Sequence, residues 1–145
     1  MNQERIFTTV AKVMGAVHTA LYRRSGGRFG GRFRGAPCLL LTVTGRRSGQ
    51  PRTAPLMYGR DGDDYIIVAS KGGMDTSPAW WLNLRSNPTA EVEVGAERHR
   101  VTAEQVEGEE RERLWRLMAG IYPSYDAYQR KTTRVIPVVR LRPAG

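Results

Sequence analysis

The sequence predicts a mainly β (α+β) fold, in which a six-stranded antiparallel β-barrel carries flanking helices over its openings. Six short segments after Pro37 are rich in apolar and β-branched residues and are separated by turn residues, a pattern typical of an antiparallel barrel or sandwich. Three segments with apolar residues at helical spacing interrupt them. The predicted strands are residues 38–44, 53–58, 65–69, 90–94, 98–106 and 135–141.

Details of the pattern support these elements. Asp61-Gly62 is a hairpin signal, and residues 65–69 are apolar throughout, which predicts a strand buried on both faces. Pro78 fits the first position of a helix over residues 79–85. The other two predicted helices span residues 108–120 and 124–131, the second opened by Pro123.

The N-terminal segment, residues 1–36, is predicted to form an amphipathic helix and a basic linker ahead of the barrel domain, residues 37–145. Apolar residues recur at helical spacing over residues 3–22, and residues 23–35 hold five Gly and five Arg. Three interpretations remain open: the helix packs on the barrel, it lies at an anionic membrane surface, or the Arg/Gly tract binds nucleic acid. We expect no nucleic acid, because RNA-binding signatures and interleaved aromatic residues are missing.

The chain has 145 residues, and none of its apolar runs reaches the roughly 20 residues that span a bilayer. No signal-peptide cleavage pattern follows its N-terminal apolar stretch. We therefore expect a cytoplasmic protein. The membrane interpretation adds peripheral contact with the inner face of the cell membrane through residues 1–34.

The net charge of +9 is concentrated in two segments. Residues 1–34 carry seven basic side chains against one acidic, and residues 46–52 carry three Arg and no acidic residue, whereas the rest of the chain balances. A local basic excess favours either solubility or a local anionic partner. That partner is nucleic acid, an anionic membrane or a phosphorylated small molecule.

The composition argues against several kinds of site. Cys38 is the single cysteine and His18 and His99 are the two histidines, so a disulfide framework, a Cys-rich zinc site and a multi-His metal site are not expected. The chain offers no Ser–His–Asp order and no paired loop carboxylates for glycoside chemistry. We expect no metal and no covalent catalysis.

Two glycine-containing loops carry polar side chains. Residues 44–52, TGRRSGQPR, form a turn whose glycines allow close backbone approach and whose Arg side chains match phosphate or carboxylate oxygens. Residues 69–73, ASKGG, follow a buried strand and place Ser70 and Lys71 at a barrel mouth. The alternative interpretations are a solvated basic turn and a flexible connecting loop.

Two aromatic segments are the remaining candidates. Trp80 and Trp81 point about 100° apart on a short helix, so one can seal the core while the other faces a groove. Tyr122, Tyr125 and Tyr128 share one side of a helical turn. In both segments the alternative is that the rings fill the core. Arg, Ser, Gly, Lys, Trp and Tyr together suit a phosphorylated planar cofactor that supplies the chemistry.

These segments, in this order, resemble the deazaflavin-dependent nitroreductase family. That family has an FMN-binding-split-barrel-like fold, a split β-barrel, and uses the 8-hydroxy-5-deazaflavin coenzyme F-420. The resemblance covers residues 37–143. The matching pieces are GRRSGQPRTAPLMY, ASKGG, PAWWLNLRSNP, YPSYDAY and RVIPVVRLRP.

The resemblance implies an oxidoreductase that transfers hydride from the reduced coenzyme to an electron-poor acceptor, quinone-like or nitroaromatic. It implies that the turn around Arg47 holds the phosphate and the oligoglutamate tail, and that Ser70 with a tyrosine supplies a proton or hydrogen bond. The implied catalytic residues are Ser70, Tyr122, Tyr125 and Tyr128. The implied cofactor-binding residues are Arg46, Arg47, Ser48, Gly49, Arg52, Thr53, Ala54, Pro55, Leu56, Met57, Val68, Ala69, Ser70, Lys71, Ala79, Trp80, Trp81, Leu82, Asn83 and Tyr125.

Two departures from the family pattern bear on the acceptor. Met57 stands where relatives commonly have an aromatic residue, and Trp81 stands where they commonly have Tyr. Two other functions remain open: a split-barrel oxidoreductase that uses FMN, and a non-enzymatic basic protein that binds membrane or nucleic acid. The sequence leaves the oligomeric state open.

Overall fold

The computed structural model describes residues 15–27, 31–33 and 35–144. Residues 15–25 are helical (α1), so most of the predicted helix over residues 3–22 lies outside the described residues, as does part of the basic linker. The strands are β1 (Arg32–Phe33), β2 (Ala36–Thr44), β3 (Pro51–Met57), β4 (Gly59–Asp61), β5 (Asp64–Val68), β6 (Thr89–Val94), β7 (Glu97–Val106) and β8 (Val138–Pro143). The helices are α2 (Ala79–Ser86), α3 (Gly108–Ile121) and α4 (Ser124–Lys131), and Lys71–Gly73 forms a 3-10 turn.

The sheet is antiparallel throughout, in the order β3-β2-β6-β7-β8-β5-β4, and β1 pairs with the start of β2. Among the described strands no hydrogen-bonded ladder joins β3 to β4, so the curled sheet stays open there as a split barrel. The predicted fold class is confirmed.

The predicted count of six strands was wrong. Among the described residues seven strands form the main sheet, and the two-residue β1 is added to it. The missed strands, β1 and β4, have only two and three residues, too few to show an alternating pattern. The predicted hairpin at Asp61-Gly62 joins β4 to β5.

The last strand begins later than predicted. Residues 135–137 lie outside β8, because Pro137 has no N–H for a ladder and the N–H of Ile136 bonds the side-chain oxygen of Gln129 at 3.0 Å. Val135 is correspondingly 67% exposed. A side-chain contact of this kind cannot be read from strand periodicity.

Two hydrophobic cores follow from the alternation of strand side chains. The first core lies inside the curled sheet and contains Leu39 and Leu41 of β2, Ile67 of β5 and Trp81 of α2. The second core lies between the sheet and the helices α3 and α4. It contains Ile66, Val68, Leu114, Trp115, Met118, Tyr122, Tyr125, Ile136 and Val138. The prediction that the third strand is buried on both faces is confirmed.

The described part of α1 packs on the barrel through Tyr22, which is 1% exposed. The Tyr22 hydroxyl donates to the carbonyl of Glu93 at 3.2 Å and accepts from the N–H of Gly95 at 2.7 Å. At the start of the described helix, Gly15 lies against Pro55, because a Cβ there would be 3.7 Å from its ring. The helix therefore runs over the outer face of β3. None of the described helices combines the length and hydropathy needed to cross a membrane.

Candidate functional site

The turn between β2 and β3, residues 45–52 (the basic turn), is folded on itself. The Gly45 N–H donates to the carbonyl of Gln50 at 2.8 Å, and the Ser48 hydroxyl accepts from the N–H of Gln50 at 3.1 Å. A Cβ on Gly45 would lie 2.9 Å from that hydroxyl, and Gly49 has a φ of +71°. The two glycines are therefore required by the turn itself.

The basic turn is tied to α2 through Asn83, which is 5% exposed. The amide oxygen of Asn83 accepts from the backbone N–H of Arg46 at 3.0 Å and from its Nη1 at 2.9 Å. Nη2 of Arg52 lies 3.4 Å from the Ser48 hydroxyl. Arg47 is exposed and, among the described residues, makes no hydrogen bond or ion pair. Arg46 and Arg52 bond only the neutral side chains of Asn83 and Ser48, so all three charges of the turn are available to a ligand and Arg47 is the least engaged.

The predicted lining strand, residues 52–57, divides between two faces. Thr53 bonds Thr42 across the strands at 2.8 Å and receives Nη2 of Arg23 at 3.4 Å. On this outer face Pro55 lies under α1, and Met57 packs on the second core. The alternate residues Arg52, Ala54 and Leu56 belong to the inner face, where Leu56 contacts the first core. Side chains from one face alone can therefore line a single ligand.

The loop after β5, residues 69–75 (the Ser70 loop), has an unusual backbone. Lys71, Gly72 and Gly73 have φ values of +46°, +61° and +80° in succession. A Cβ on Gly73 would lie 2.8 Å from the carbonyl oxygen of Tyr128, so the loop packs directly on the backbone of α4. Lys71 Nζ donates to the hydroxyl of Thr76 at 2.9 Å. The loop is packed and held, which argues against a flexible connection.

The residues flanking this loop differ in burial. Val68 belongs to the second core and Ala69 to the first, and both are buried. Ser70 is half-buried, and no side-chain hydrogen bond involves its hydroxyl within the described residues. Among the predicted site residues at the end of β5, Ser70 therefore has a side chain available to a ligand.

The helix α2 presents its predicted residues in different directions. Trp81 is 5% exposed in the first core, whereas Trp80 is half-buried and packs against that core. The ring centroids of Trp80 and Trp81 lie 6.5 Å apart. Leu82 is half-buried and Ala79 is exposed. The expected division between a sealing and a partly exposed indole is present.

The three predicted tyrosines, Tyr122, Tyr125 and Tyr128 (the tyrosine cluster), form a triangle of rings. Their centroids are 5.1 to 6.3 Å apart. The hydroxyls of Tyr122 and Tyr128 lie 3.1 Å apart in a mutual hydrogen bond. The hydroxyl of Tyr125 has no hydrogen-bond partner among the described residues, and burial of its ring raises the pKa of this phenol well above its ordinary value. Tyr125 therefore stays protonated across the physiological range.

The structure brings the Ser70 loop, the tyrosine cluster and Met57 together at one end of β3. Gly73 touches Tyr128, and Met57 packs on the same second core as the cluster. The basic turn lies at the other end of β3, separated from them by about 17 Å of extended strand. The predicted site is therefore an elongated surface with a basic end and an aromatic end.

Cys38 is buried, and burial raises the pKa of its thiol to about 11, so the thiolate nucleophile is suppressed at neutral pH. In the described parts of the chain no three His, Cys, Asp or Glu side chains are grouped so that they could hold a metal ion. An open depression near Gly108 and Arg116 contains none of the predicted site residues.

Sequence reasoning missed Arg134. It was placed just before the last predicted strand and given no role, yet its guanidinium reaches three carbonyls of residues 69–74. Neither spacing nor residue type signals such a contact, because the partners are backbone oxygens about 60 residues earlier in the chain.

Comparisons with known proteins give matches over most of the chain. The model of the family described as F420H(2)-dependent quinone reductase matches residues 14–143. The F420H(2)-dependent quinone reductase Rv1261c of Mycobacterium tuberculosis is 48% identical over 129 residues, covering 86% of this chain and 87% of that protein.

Solved structures show the same similarity. An F420-H2 dependent reductase (FDR-A) superposes with a TM-score of 0.69 at 44% identity, covering 73% of this chain and 94% of that one. A chain described as a domain-swapped dimer superposes with a TM-score of 0.71 at 38% identity, covering 88% and 93%.

Proposed function

The chain belongs to the F420H(2)-dependent quinone reductase family, and on that premise we propose that reduced coenzyme F-420 lies along β3, its tail at the basic turn and its ring system at the tyrosine cluster. The protein is an oxidoreductase that uses coenzyme F-420 and reduces a quinone, a small-molecule acceptor. What the proposal adds is the placement of the coenzyme and the role of each residue.

One observation carries this placement: the unpaired polar groups lie at opposite ends of β3. Arg47 is exposed and unpaired in the described structure at the basic end, and the hydroxyls of Ser70 and Tyr125 have no side-chain partners there at the aromatic end. About 17 Å of strand separates the two ends. An elongated molecule with an anionic tail and a planar head fits this distribution.

The residues at the two ends suit the two parts of the coenzyme. A guanidinium binds phosphate or carboxylate oxygens through paired N–H donors, and Arg47 is free to do so. Trp80 and the tyrosine rings offer flat apolar surface for a planar ring, and Met57 packs on the same core as the tyrosines. When bound, the reduced deazaflavin supplies the hydride for the reaction.

The protein's own contribution to the chemistry is a hydrogen-bond donor beside the acceptor oxygen. A quinone becomes a hydroquinone by gaining one hydride and one proton, so negative charge develops on an oxygen that needs a donor. Tyr125 meets this need, because its phenol O–H has no hydrogen-bond partner among the described residues and is protonated at neutral pH. Ser70 is the second donor, and the bonded pair Tyr122 and Tyr128 shapes the wall beside them.

A titration with the coenzyme tests the proposal. We expect the purified protein to quench the fluorescence of oxidised coenzyme F-420 with a micromolar or lower Kd, and to oxidise the reduced coenzyme with menadione. Arg47→Ala is expected to weaken binding more for a long oligoglutamate tail than for a short one. Arg116→Ala, an exposed charge on α3, is the matched control. Absence of binding by the wild-type protein contradicts the proposal.

FMN is the alternative cofactor to test in the same assay. A yellow protein on purification, or tighter binding of FMN than of coenzyme F-420, would show that FMN is the cofactor of this site. The family match favours the deazaflavin. Nitroaromatic acceptors should be screened beside menadione. Met57 stands where relatives commonly have an aromatic residue, so the range of acceptors is open to test.

We also propose that α1 brings the enzyme to the inner face of the cell membrane, where a lipid-soluble quinone is found. Val17 and Leu21 are 57% and 50% exposed and lie one turn apart on the same helix face, while Tyr22 packs on the barrel. Arg24 is exposed beside this apolar pair, whereas the neighbouring Arg23 is already paired with Glu93. An apolar strip next to basic side chains suits anionic lipid.

Vesicle flotation tests the membrane contact. We expect the full chain to float with phosphatidylglycerol-containing vesicles and far less with pure phosphatidylcholine. The double variant Val17→Asn, Leu21→Asn should lose most of this binding. Val135→Asn, which changes an equally exposed residue before β8, is the control. Equal loss in the control, or no flotation of the wild-type protein, contradicts the proposal.

A further inference from the structure

Arg134, in the segment between α4 and β8, holds the Ser70 loop through its guanidinium. Nε donates to the carbonyl of Met74 at 2.7 Å, and Nη2 donates to the carbonyls of Ser70 at 2.8 Å and Ala69 at 3.2 Å. Three carbonyls of one loop thus converge on a single side chain. The planar guanidinium can bind all of them at once, which a lysine ammonium cannot do with the same geometry.

The setting of this guanidinium is unusual for a surface arginine. Burial lowers its pKa from the ordinary value, and its Nη1 is buried without a hydrogen-bond partner in the described part of the molecule. No carboxylate of the described residues lies within ion-pair distance of it. The charge of Asp75 partly offsets this burial, and the direct contacts of the guanidinium in the described structure are those with the loop carbonyls.

The loop that Arg134 holds needs such support. Lys71 adopts a φ of +46°, a conformation that is unfavourable for a residue with a side chain. Strained backbone of this kind persists only when its surroundings fix it. Ser70 directly precedes Lys71, so the position of its hydroxyl depends on the same backbone.

Residues 132–136 also connect this support to α4. The Thr132 hydroxyl donates to Asp75 at 2.7 Å, which holds the far end of the Ser70 loop. The side chain of Gln129 on α4 donates to the carbonyl of Arg134 at 2.8 Å and accepts from Ile136. The segment therefore fixes the distance between the loop with Ser70 and the helix with Tyr125 and Tyr128.

We propose that Arg134 is a positioning residue for hydride transfer, which acts by holding Ser70 in register with the tyrosine cluster. This inference rests on the proposed function of the same site. In the described structure the guanidinium of Arg134 hydrogen-bonds only backbone carbonyls of the loop, so it sets the geometry of the donors and leaves the affinity for the coenzyme to the basic turn.

Arg134→Met and Arg134→Lys test this role. Both keep a long side chain and remove the planar fork. We expect kcat with menadione to fall by about 10- to 100-fold, the range expected when a reacting group moves by about 1 Å, while the Kd for oxidised coenzyme changes by less than threefold. Arg113→Met is the matched control, because Arg113 pairs with Asp61 and Glu110, neither of which belongs to the Ser70 loop.

A second readout does not depend on the reaction. Amide hydrogen exchange of residues 70–74 should be faster in the Arg134 variants than in the wild type and unchanged in Arg113→Met. If the Arg134 variants do not fold, Thr132→Val provides a milder test of the same role, because it removes the bond from Thr132 to Asp75 at the far end of the loop. It is expected to lower kcat by a few-fold with unchanged Kd.

The outcomes separate the two proposals. A wild-type protein that does not bind the coenzyme overturns the proposed function, and faster exchange of residues 70–74 in the variants would then still show that Arg134 holds the loop. Faster exchange with unchanged kcat overturns the positioning role. So does a parallel loss of kcat and coenzyme affinity, because that pattern indicates general disruption of the site.

Discussion

At the Pro51 end of β3 the candidate site is charged and exposed, whereas at the Met57 end it is aromatic and buried. The first end presents Arg47 without a protein partner, in a turn held by its own backbone and by Asn83. The second end packs Met57 against the tyrosine cluster, with Tyr125 3% exposed. One strand thus connects two environments with different dielectric properties.

This difference assigns different work to the two ends. Charges in solvent interact weakly and are screened by salt, so the basic turn contributes affinity and fast encounter rather than rate. Donors in a dry, packed environment act strongly on a developing charge. The tyrosine cluster is therefore where we expect substitutions to change kcat, and the basic turn is where we expect them to change Kd.

The largest effect is expected from Tyr125→Phe. Loss of the protonated phenol removes the donor to the acceptor oxygen and should lower kcat with menadione about 100-fold, within the range for general acid catalysis, while the Kd for the coenzyme stays within threefold. Tyr58→Phe, which removes a hydroxyl from a half-buried ring at the first core, is the control. Equal loss in both variants would remove the distinction between the two ends.

Gly73→Ala should loosen the aromatic end by backbone strain. The new Cβ would lie 2.8 Å from the carbonyl of Tyr128, at a φ of +80°, so we expect the free energy of unfolding in urea to fall by about 2–3 kcal/mol. Gly62→Ala has a positive φ but open space around its Cβ and should lose only about 1 kcal/mol. Similar losses would show that α4 does not press on the Ser70 loop.

The sequence predicted most of the fold, because the fold depends on local patterns. Alternation and turn residues predicted six of the strands, and Pro78 and Pro123 predicted where α2 and α4 begin, although α2 starts one residue after Pro78. The short strands β1 and β4 have too few residues to show a period. Local pattern and family resemblance together were enough for the architecture.

The arrangement within the site could not be predicted in this way. The sequence grouped residues 52–57 as one lining, but pleating sends Thr53 and Met57 to one face and Leu56 to the other. The bonds of Asn83 to Arg46 and of Arg134 to the Ser70 loop join segments far apart in the chain. Contacts of this kind are set by packing in three dimensions and leave no spacing signal.

In the wild-type enzyme, the salt concentration should affect coenzyme affinity, which depends on the basic turn, but not kcat, which depends on the tyrosine cluster. Raising the ionic strength from 0.05 to 0.5 M is expected to weaken coenzyme binding about 5- to 10-fold, because the tail interacts with exposed arginines, while kcat at saturating coenzyme stays constant. Arg47→Ala should show a smaller salt dependence of Kd than Arg116→Ala. If kcat falls with salt as steeply as the affinity, charge at the basic turn contributes to the chemical step as well.

The smallest effect is expected from Cys38, which pairs with Met57 in the β2–β3 register at the aromatic end. Burial raises the pKa of its thiol from 9.0 to about 11, so folding favours the neutral thiol. The resulting stability is fully present below pH 9 and is lost as the pH rises toward 11. The free energy of unfolding should therefore fall by about 1 kcal/mol between pH 8 and 10, and this decline should shrink in Cys38→Ala but persist in Arg47→Ala. If the free energy of unfolding declines equally in Cys38→Ala, the thiol is not shielded from water at the aromatic end. The proposed dry environment around Tyr125 would then be contradicted.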